Sequence, residues 1–186
     1  MKAYTIIAGV NGVGKTSLTG VLKAERNDLG YVIDADKISM DYKLNTLEAG
    51  KIAVLKIKEF LLKDISFAQE TTLSGQTIEK LIKIAKGKGY FIRLFYISLN
   101  TQEECMKRIK NRVEKGGHDI KPDDLNRRYK KRFHDLVKIL PYCDETHLFD
   151  NENGFTEVGE YTNGELITKG DYKPFWLYEL METTFP

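Results

Sequence analysis

The sequence predicts an α/β fold in which a parallel sheet of about five strands is covered by helices on both faces. Three observations predict this fold: short apolar runs alternate with amphipathic segments, glycine and proline mark many of the boundaries, and 186 residues suit a single domain. The composition is 41% hydrophobic and 30% charged, which excludes a disordered chain, a collagen and a coiled coil.

Three short apolar runs predict the first strands, at residues 4–8, 31–34 and 65–71. Helices are predicted between them at residues 15–27 and 46–64. The second helix has leucines and isoleucines at near-helical spacing, so one of its faces is apolar. Because strands and helices alternate, we expect the strands to run parallel.

The next segments continue this alternation. A helix at residues 75–85 is ended by the glycines that follow it, and residues 90–98 predict the strongest strand because aromatic and β-branched residues fill the run. Thr101 and Glu104 have the spacing of a capping box. This spacing predicts a helix that runs through about Val113.

The last third of the chain closes the sheet and adds a tail. Pro122 begins a predicted helix that runs to about Leu140, and residues 146–149 predict a fifth strand. Asn163-Gly164 lies between two short strand-like runs, 155–161 and 165–168, and predicts a hairpin turn. Aromatic side chains are expected to pack a final helix onto the body: Tyr172, Phe175, Trp176 and Tyr178.

Several classes of protein are excluded by what the sequence lacks. Its apolar runs are far shorter than the 18 or more residues of a membrane span, and its first residues do not form a signal segment. The two cysteines, Cys105 and Cys143, are not paired with nearby cysteine or histidine, which argues against structural zinc. We therefore expect a cytoplasmic protein that does not bind membranes.

A phosphate-binding motif follows the first strand. Residues 9–16 read Gly-Val-Asn-Gly-Val-Gly-Lys-Thr and match G-x4-G-K-[ST] in full, directly before a helix. Lys15 is expected to reach the β and γ phosphates of ATP, and Thr16 to offer its hydroxyl to Mg²⁺. The alternative is a glycine-rich turn that binds nothing. The predicted nucleotide-binding residues are Gly9, Asn11, Gly12, Val13, Gly14, Lys15, Thr16 and Ser17.

Acidic and hydroxyl side chains follow the second and third strands. Open α/β sheets bind ligands at the carboxyl ends of their strands, so these groups are candidates for holding a phosphoryl acceptor. Asp34 and Asp36, two residues apart, are expected to share one face of an extended segment, and Asp36 is better placed to act as the base. The alternative for this pair is an Asx turn or a helix N-cap.

Glu70 ends the third strand and is followed by the hydroxyl residues Thr71 and Thr72. Its carboxylate has three interpretations: it binds Mg²⁺ through water, it holds the acceptor, or it is a capping or turn acid. We predict that Glu70, Thr71 and Thr72 lie on the substrate side of the site.

A basic segment spans residues 107–134, with eleven lysines and arginines against four acids. Two helices joined by Gly116-Gly117 would form a lid whose arginines, Arg112 and Arg127 or Arg128, neutralise phosphate charge. His118 is expected to make a hydrogen bond in this lid. The alternative is a pair of solvated helix faces. We predict a core at residues 1–151 that includes this lid, and a hairpin and helix at 152–186 packed on the same domain.

Several of these segments together resemble the zeta-toxin family of P-loop kinases, in particular its short bacterial members. The resemblance covers roughly residues 3–151. Its most specific blocks are Glu70-Thr-Thr-Leu-Ser-Gly75 and Arg112-Val-Glu-Lys-Gly-Gly-His118, with Arg127-Arg128-Tyr129 and Phe149-Asp150-Asn151 further along.

The resemblance implies an ATP-dependent kinase, and the best-known members of the family phosphorylate a hydroxyl of UDP-N-acetylglucosamine. It implies that Asp36 matches the catalytic aspartate of the family, that Arg112 and Arg128 match the lid arginines, and that Glu70 matches the glutamate beside the substrate. Arg128 is preferred to Arg127 because Tyr129 follows it. The family also associates such chains with an antitoxin protein.

Two other functions remain open from the sequence. A non-catalytic ATP-binding switch would carry the same phosphate loop but would need no acceptor. A polynucleotide kinase would use the basic segment, but few aromatic residues interleave its charges, so nucleic acid is the less favoured ligand.

Overall fold

A seven-stranded sheet organises residues 1–184, the part of the chain that this computed structural model describes. The strands are β1 (Ala3–Ala8), β2 (Tyr31–Asp34), β3 (Phe67–Thr71), β4 (Phe91–Ser98), β5 (Glu145–Asp150), β6 (Thr156–Thr162) and β7 (Glu165–Thr168). Their spatial order is β2-β3-β1-β4-β5-β6-β7. The first five in this order run parallel, which confirms the predicted sheet, and β6 and β7 continue it antiparallel.

Helices cover both faces of this sheet, as the sequence predicts. They are α1 (Lys15–Glu25), α2 (Ala35–Tyr42), α3 (Thr46–Leu62), α4 (Thr77–Gly87), α5 (Gln102–Glu114), α6 (Pro122–Val137) and α7 (Phe175–Thr184), with a 3₁₀ turn at Leu140–Tyr142. β1 alternates between the two layers, because Tyr4 and Ile6 pack with α3 and α4 whereas Ile7 packs with α1 and α5. Among these helices none has the length and apolar character that crossing a membrane requires.

The sheet register brings the candidate acids together. Asp34 is directly opposite Glu70 in the β2–β3 pairing, and Glu70 is opposite Ile7 in the neighbouring β1. The carboxyl ends of β2 and β3 therefore meet beside the loop that follows β1.

Two local predictions are wrong. The segment from Asp34 to Asp36 is not extended, because β2 ends at Asp34 and α2 begins at Ala35. The Asp34 side chain instead caps this helix by accepting a hydrogen bond from the Asp36 N–H at 2.9 Å, which is the N-cap alternative. The predicted capping box at the start of α5 is the second. The Thr101 hydroxyl accepts a hydrogen bond from the Glu104 N–H, but the Glu104 carboxylate pairs with Arg108 and does not complete the box.

The hairpin turn is confirmed, and its position in the sheet is new. Asn163 and Gly164 both have positive φ, 53° and 86°, as a tight two-residue hairpin turn requires. β6 pairs with the outer side of β5, so the hairpin extends the main sheet from five strands to seven.

One aromatic side chain fixes α7. Trp176 is fully buried, its ring lies 6.2 Å from that of Phe133, and its indole N–H donates to Asp150 Oδ1 at 2.8 Å. The expectation that four tail aromatics pack inward is wrong for the other three, because Phe175 is 82% exposed and Tyr172 and Tyr178 are about half exposed. The last two residues of the predicted tail, 185–186, lie outside the described part of the chain.

Replacing Trp176 by alanine should lower the free energy of unfolding by about 3–5 kcal/mol, because a large cavity forms and Asp150 loses a buried partner. Phe175→Ala is the matched control and should change stability by less than about 0.5 kcal/mol. Urea unfolding followed by circular dichroism measures both. Equal losses in the two variants would contradict the packing described for α7.

Candidate active site

The glycine loop between β1 and α1 packs closely against Ile97 of β4, Cys105 of α5 and Asn151 after β5. Gly9, Gly12 and Gly14 all have positive φ, between 89° and 143°, which L side chains rarely adopt. A Cβ on Gly12 would overlap the backbone of Cys105 in α5, and one on Gly14 would lie 2.5 Å from Asn151 Nδ2. The Asn151 amide also donates to the Val13 carbonyl at 2.8 Å. The loop therefore keeps its shape through contacts that only glycine permits.

Lys15 lies over this loop. Its ammonium donates to the carbonyls of Gly9 and Val10 at 3.0 and 3.2 Å. Burial lowers the pKa of Lys15, while the carboxylates of Asp36 and Glu70 act in the opposite direction. The lysine thus stands at the boundary between the glycine loop and a group of acids.

Glu70 faces α1 and not open solvent. It is buried at the end of β3, with Oε2 accepting from the Thr16 hydroxyl at 2.8 Å and Oε1 accepting from the Thr19 hydroxyl at 2.7 Å. Sequence reasoning missed Thr19, although its position one turn after Thr16 on the predicted helix is a usable signal. Both oxygens of Glu70 are therefore directed at the helix that carries the predicted metal ligand.

Asp34 and Asp36 lie close enough to Lys15 for their charges to oppose the effect of burial on its pKa. Burial raises the pKa of Asp34, and the neighbouring carboxylates of Glu70 and Asp36 raise it further. Asp36 belongs to the first turn of α2, two residues beyond the end of β2. Three acids from two adjacent strand ends thus share one region with one lysine.

The two adjacent arginines of α6 point in different directions. Arg128 Nη1 donates to Asn11 Oδ1 in the glycine loop at 2.6 Å, whereas Arg127 pairs with Asp124 on the helix surface. Arg127 is exposed, with 57% of its side chain accessible. Of the two, Arg128 reaches the phosphate loop.

Arg112 belongs to the end of α5. Its Nη2 donates to the backbone carbonyl of His118 at 2.5 Å, and a side chain on Gly117 would collide with it. Arg112 is close enough to Lys15 to lower the pKa of that lysine. In residues 1–184 no group of three or more His, Cys, Asp or Glu side chains could hold a metal ion.

A cavity of about 740 Å³ opens beside Lys15. It brings together most of the acids, hydroxyls and cations selected from the sequence: Lys15, Asp34, Asp36, Glu70, Thr71, Thr72 and Arg128. Arg112, Thr16 and Ser17 are not part of its lining. Sequence reasoning missed the far wall, where Lys51 and Thr77 lie among apolar side chains of α3 and α4: Leu47, Val54, Leu55, Ile78 and Leu81.

Solved structures share this fold. A structure of the PezAT chromosomal toxin–antitoxin system of Streptococcus pneumoniae superposes with a TM-score of 0.65 at 15% identity, covering 99% of this chain and 84% of that one. The AvrRxo1-ORF1:AvrRxo1-ORF2 complex with sulphate ions gives 0.69 at 15% identity, and the complex with ATP gives 0.67. In both, this chain spans 63% of the matched chain. This chain therefore shares the fold of these structures, which is an α/β fold of the class that the sequence predicts.

A sequence relative identifies the family. An uncharacterised protein of Haemophilus influenzae is 36% identical over 126 residues, which are 65% of this chain and 88% of the relative. This chain belongs to the same family as that protein. No protein-family model matches the sequence.

Replacing Asp34 by asparagine should stabilise the fold at neutral pH. Because the pKa of Asp34 is raised on folding, its ionised form costs stability above the unfolded pKa of about 4, and this cost disappears below it. Asparagine keeps the N-cap and removes the charge. The melting temperature should rise by roughly 2–4 °C at pH 7.5, with the difference vanishing towards pH 3.5.

The exposed Asp41 on the same helix provides the control, since Asp41→Asn should leave the melting temperature nearly unchanged across this range. Thermal melts at several pH values measure both variants. A pH-independent difference for Asp34→Asn would contradict the assignment of the effect to its charge.

Proposed function

We propose that this protein is an ATP-dependent kinase of the zeta-toxin type that transfers the γ-phosphate to a hydroxyl of a small molecule. One observation carries the proposal: the loop lysine, the acids of two strand ends and a lid arginine line the same cavity. Each group is of the type that phosphoryl transfer needs, since the reaction depends on positioning and on neutralising charge.

The phosphate end of the site suits a polyanion. The Nε atoms of Arg112 and Arg128 are buried, and neither has a hydrogen-bond partner in the described chain. Buried cationic N–H groups without a partner are costly, and phosphate oxygens would satisfy them. Together with Lys15 and the loop N–H groups, these arginines are the proposed triphosphate ligands.

The residues around Thr16 suit Mg²⁺, because a threonine hydroxyl and the Glu70 carboxylate offer the hard oxygen ligands that this ion prefers. Bound there, Mg²⁺ would neutralise charge on the nucleotide phosphates. This placement supports the metal interpretation of Glu70 left open by the sequence. Thr71 and Thr72 remain the proposed hydroxyl contacts to the acceptor.

The acceptor end of the site centres on Asp36. The Asp36 carboxylate takes the proton of the acceptor hydroxyl as the oxygen forms its bond to the γ phosphorus, and the bond from that phosphorus to the β–γ bridging oxygen breaks to release ADP. The cavity volume suits a small molecule. A nucleotide sugar such as UDP-N-acetylglucosamine is the proposed acceptor class, on the strength of the resemblance.

The same proposal assigns parts to the rest of the chain. In this proposal residues 1–151 are the kinase core with its lid at about 107–134, and the described residues 152–184 belong to the same domain. A cytoplasmic location and an antitoxin partner are proposed with it, the latter because the PezAT structure belongs to a toxin–antitoxin system.

Lys15→Ala and Asp36→Ala should each abolish phosphoryl transfer. Lys15→Ala should also weaken ATP binding, whereas Asp36→Ala should keep it, because Asp36 faces the acceptor. ADP release against a panel of nucleotide sugars, nucleosides and sugars, with product mass measured, tests transfer, and calorimetric titration tests binding. Asp41→Ala is the control with unchanged activity.

Wild-type turnover in Asp36→Ala would contradict the assignment of Asp36 as the base. ADP release that needs no acceptor would favour an ATP-driven switch.

The two neighbouring arginines of the lid should differ sharply. Arg128→Ala should lower kcat by about 100-fold, since one cationic donor at the transferred phosphate is lost. Arg127→Ala should change kcat by less than about twofold, because an exposed pair contributes little. Steady-state kinetics on both variants measures this ratio. Similar losses would mean that the lid does not meet the nucleotide as proposed.

A further inference from the structure

The Asn11 side chain joins the glycine loop to helix α6 through a hydrogen bond. It is 2% exposed, and its amide oxygen accepts from Arg128 Nη1 at 2.6 Å across a separation of 117 residues. A buried amide needs hydrogen-bond partners, and here the partner is the proposed lid arginine. The contact therefore joins the two halves of the phosphate site directly.

The Arg128 guanidinium bonds to the glycine loop through one nitrogen and has other N–H donors that are not bonded to it. Nη1 is held by Asn11, whereas the buried Nε has no partner in residues 1–184. A guanidinium has five N–H donors in a rigid plane, so fixing one edge fixes the direction of the others. With Nη1 on the loop, the remaining donors are available for an anion in the cavity that Arg128 lines.

The neighbouring side chains on α6 make contacts that do not involve the Arg128 guanidinium. Arg132, one turn further along, stacks on Tyr129 and pairs with Glu179 of α7. Tyr129 donates to the carbonyls of Leu99 and Asn100. These contacts attach the helix to the body, but none of them touches the Arg128 guanidinium.

We propose that Asn11 is a positioning residue that holds the Arg128 guanidinium at the phosphate end of the cavity, an inference that rests on the proposed kinase function. An amide oxygen suits this role because it accepts a hydrogen bond without cancelling the positive charge, as a carboxylate would. The inference departs from the expectation that Asn11 binds the nucleotide itself.

A double-mutant cycle separates these roles. In the wild-type background Asn11→Ala should lower kcat by about 10- to 30-fold, the size expected for losing a hydrogen bond to a charged group. In the Arg128→Ala background the same change should cost less than about threefold, because the group that Asn11 positions is gone. Equal losses in both backgrounds would overturn the proposal and show that Asn11 acts on the nucleotide or on the fold.

The same cycle is measured on the affinity for ATP with magnesium, by calorimetric titration, so that it does not depend on turnover. Asn11→Leu, which keeps the approximate shape of the side chain but removes the oxygen acceptor, replaces the alanine variant if a lowered melting temperature shows that Asn11→Ala is unfolded. Asn27→Ala, an exposed asparagine after α1, is the matched control and should leave affinity and kcat unchanged. If ATP binds with the expected coupling but no acceptor is phosphorylated, the proposed function fails and the positioning role survives. A protein that binds no ATP overturns both.

Discussion

The fit of a glycine loop between β4, α5 and the end of β5 is the constraint on which the site depends. Cβ atoms at Gly9, Gly12 and Gly14 would meet Ile97, Cys105 and Asn151, which come from three separate parts of the chain. The loop is therefore shaped from outside as well as by its own sequence. Its orientation carries Lys15 and the start of α1 to the acids of β2 and β3.

The second constraint on the site is that acids and cations are buried close to one another. Asp34, Asp36 and Glu70 are held close together at the carboxyl ends of β2 and β3. The pKa of Asp34 is raised mainly by burial and further by the two neighbouring carboxylates. The cations Lys15 and Arg128 line the same cavity as these acids, and burial lowers the pKa of Lys15. Buried charges with shifted pKa values destabilise the fold locally, which is a common property of functional sites.

Most of the helices and strands could be predicted because each follows from a pattern of neighbouring residues in the sequence. The strands of the parallel sheet, the long helix α3 and the turn at Asn163-Gly164 follow from periodicity and turn chemistry. Helix α2 was missed because it is short and begins directly at the strand end, where Asp34 serves both elements. The hairpin strands were also predicted, but their pairing with β5 could not be, because the sheet edge that a hairpin joins is set by non-local contacts.

The candidate site divides in the same way. Lys15, Asp36, Glu70 and the lid arginines were selected from motifs and from a family resemblance. The contacts that give them direction, Thr19 with Glu70 and Asn11 with Arg128, join residues 51 and 117 positions apart. No local pattern encodes such pairs, because they depend on how the sheet and the lid come together in three dimensions.

The end of β5 serves two regions at once. Asp150 accepts a hydrogen bond from the indole N–H of Trp176. The next residue, Asn151, donates a hydrogen bond from its side-chain amide to the Val13 carbonyl of the glycine loop. A disturbance that moved α7 away from the sheet would act through one peptide bond on the loop that we propose binds the phosphates. Helix α7 therefore supports the proposed nucleotide site, although it lies in a part of the chain that carries no recognisable motif.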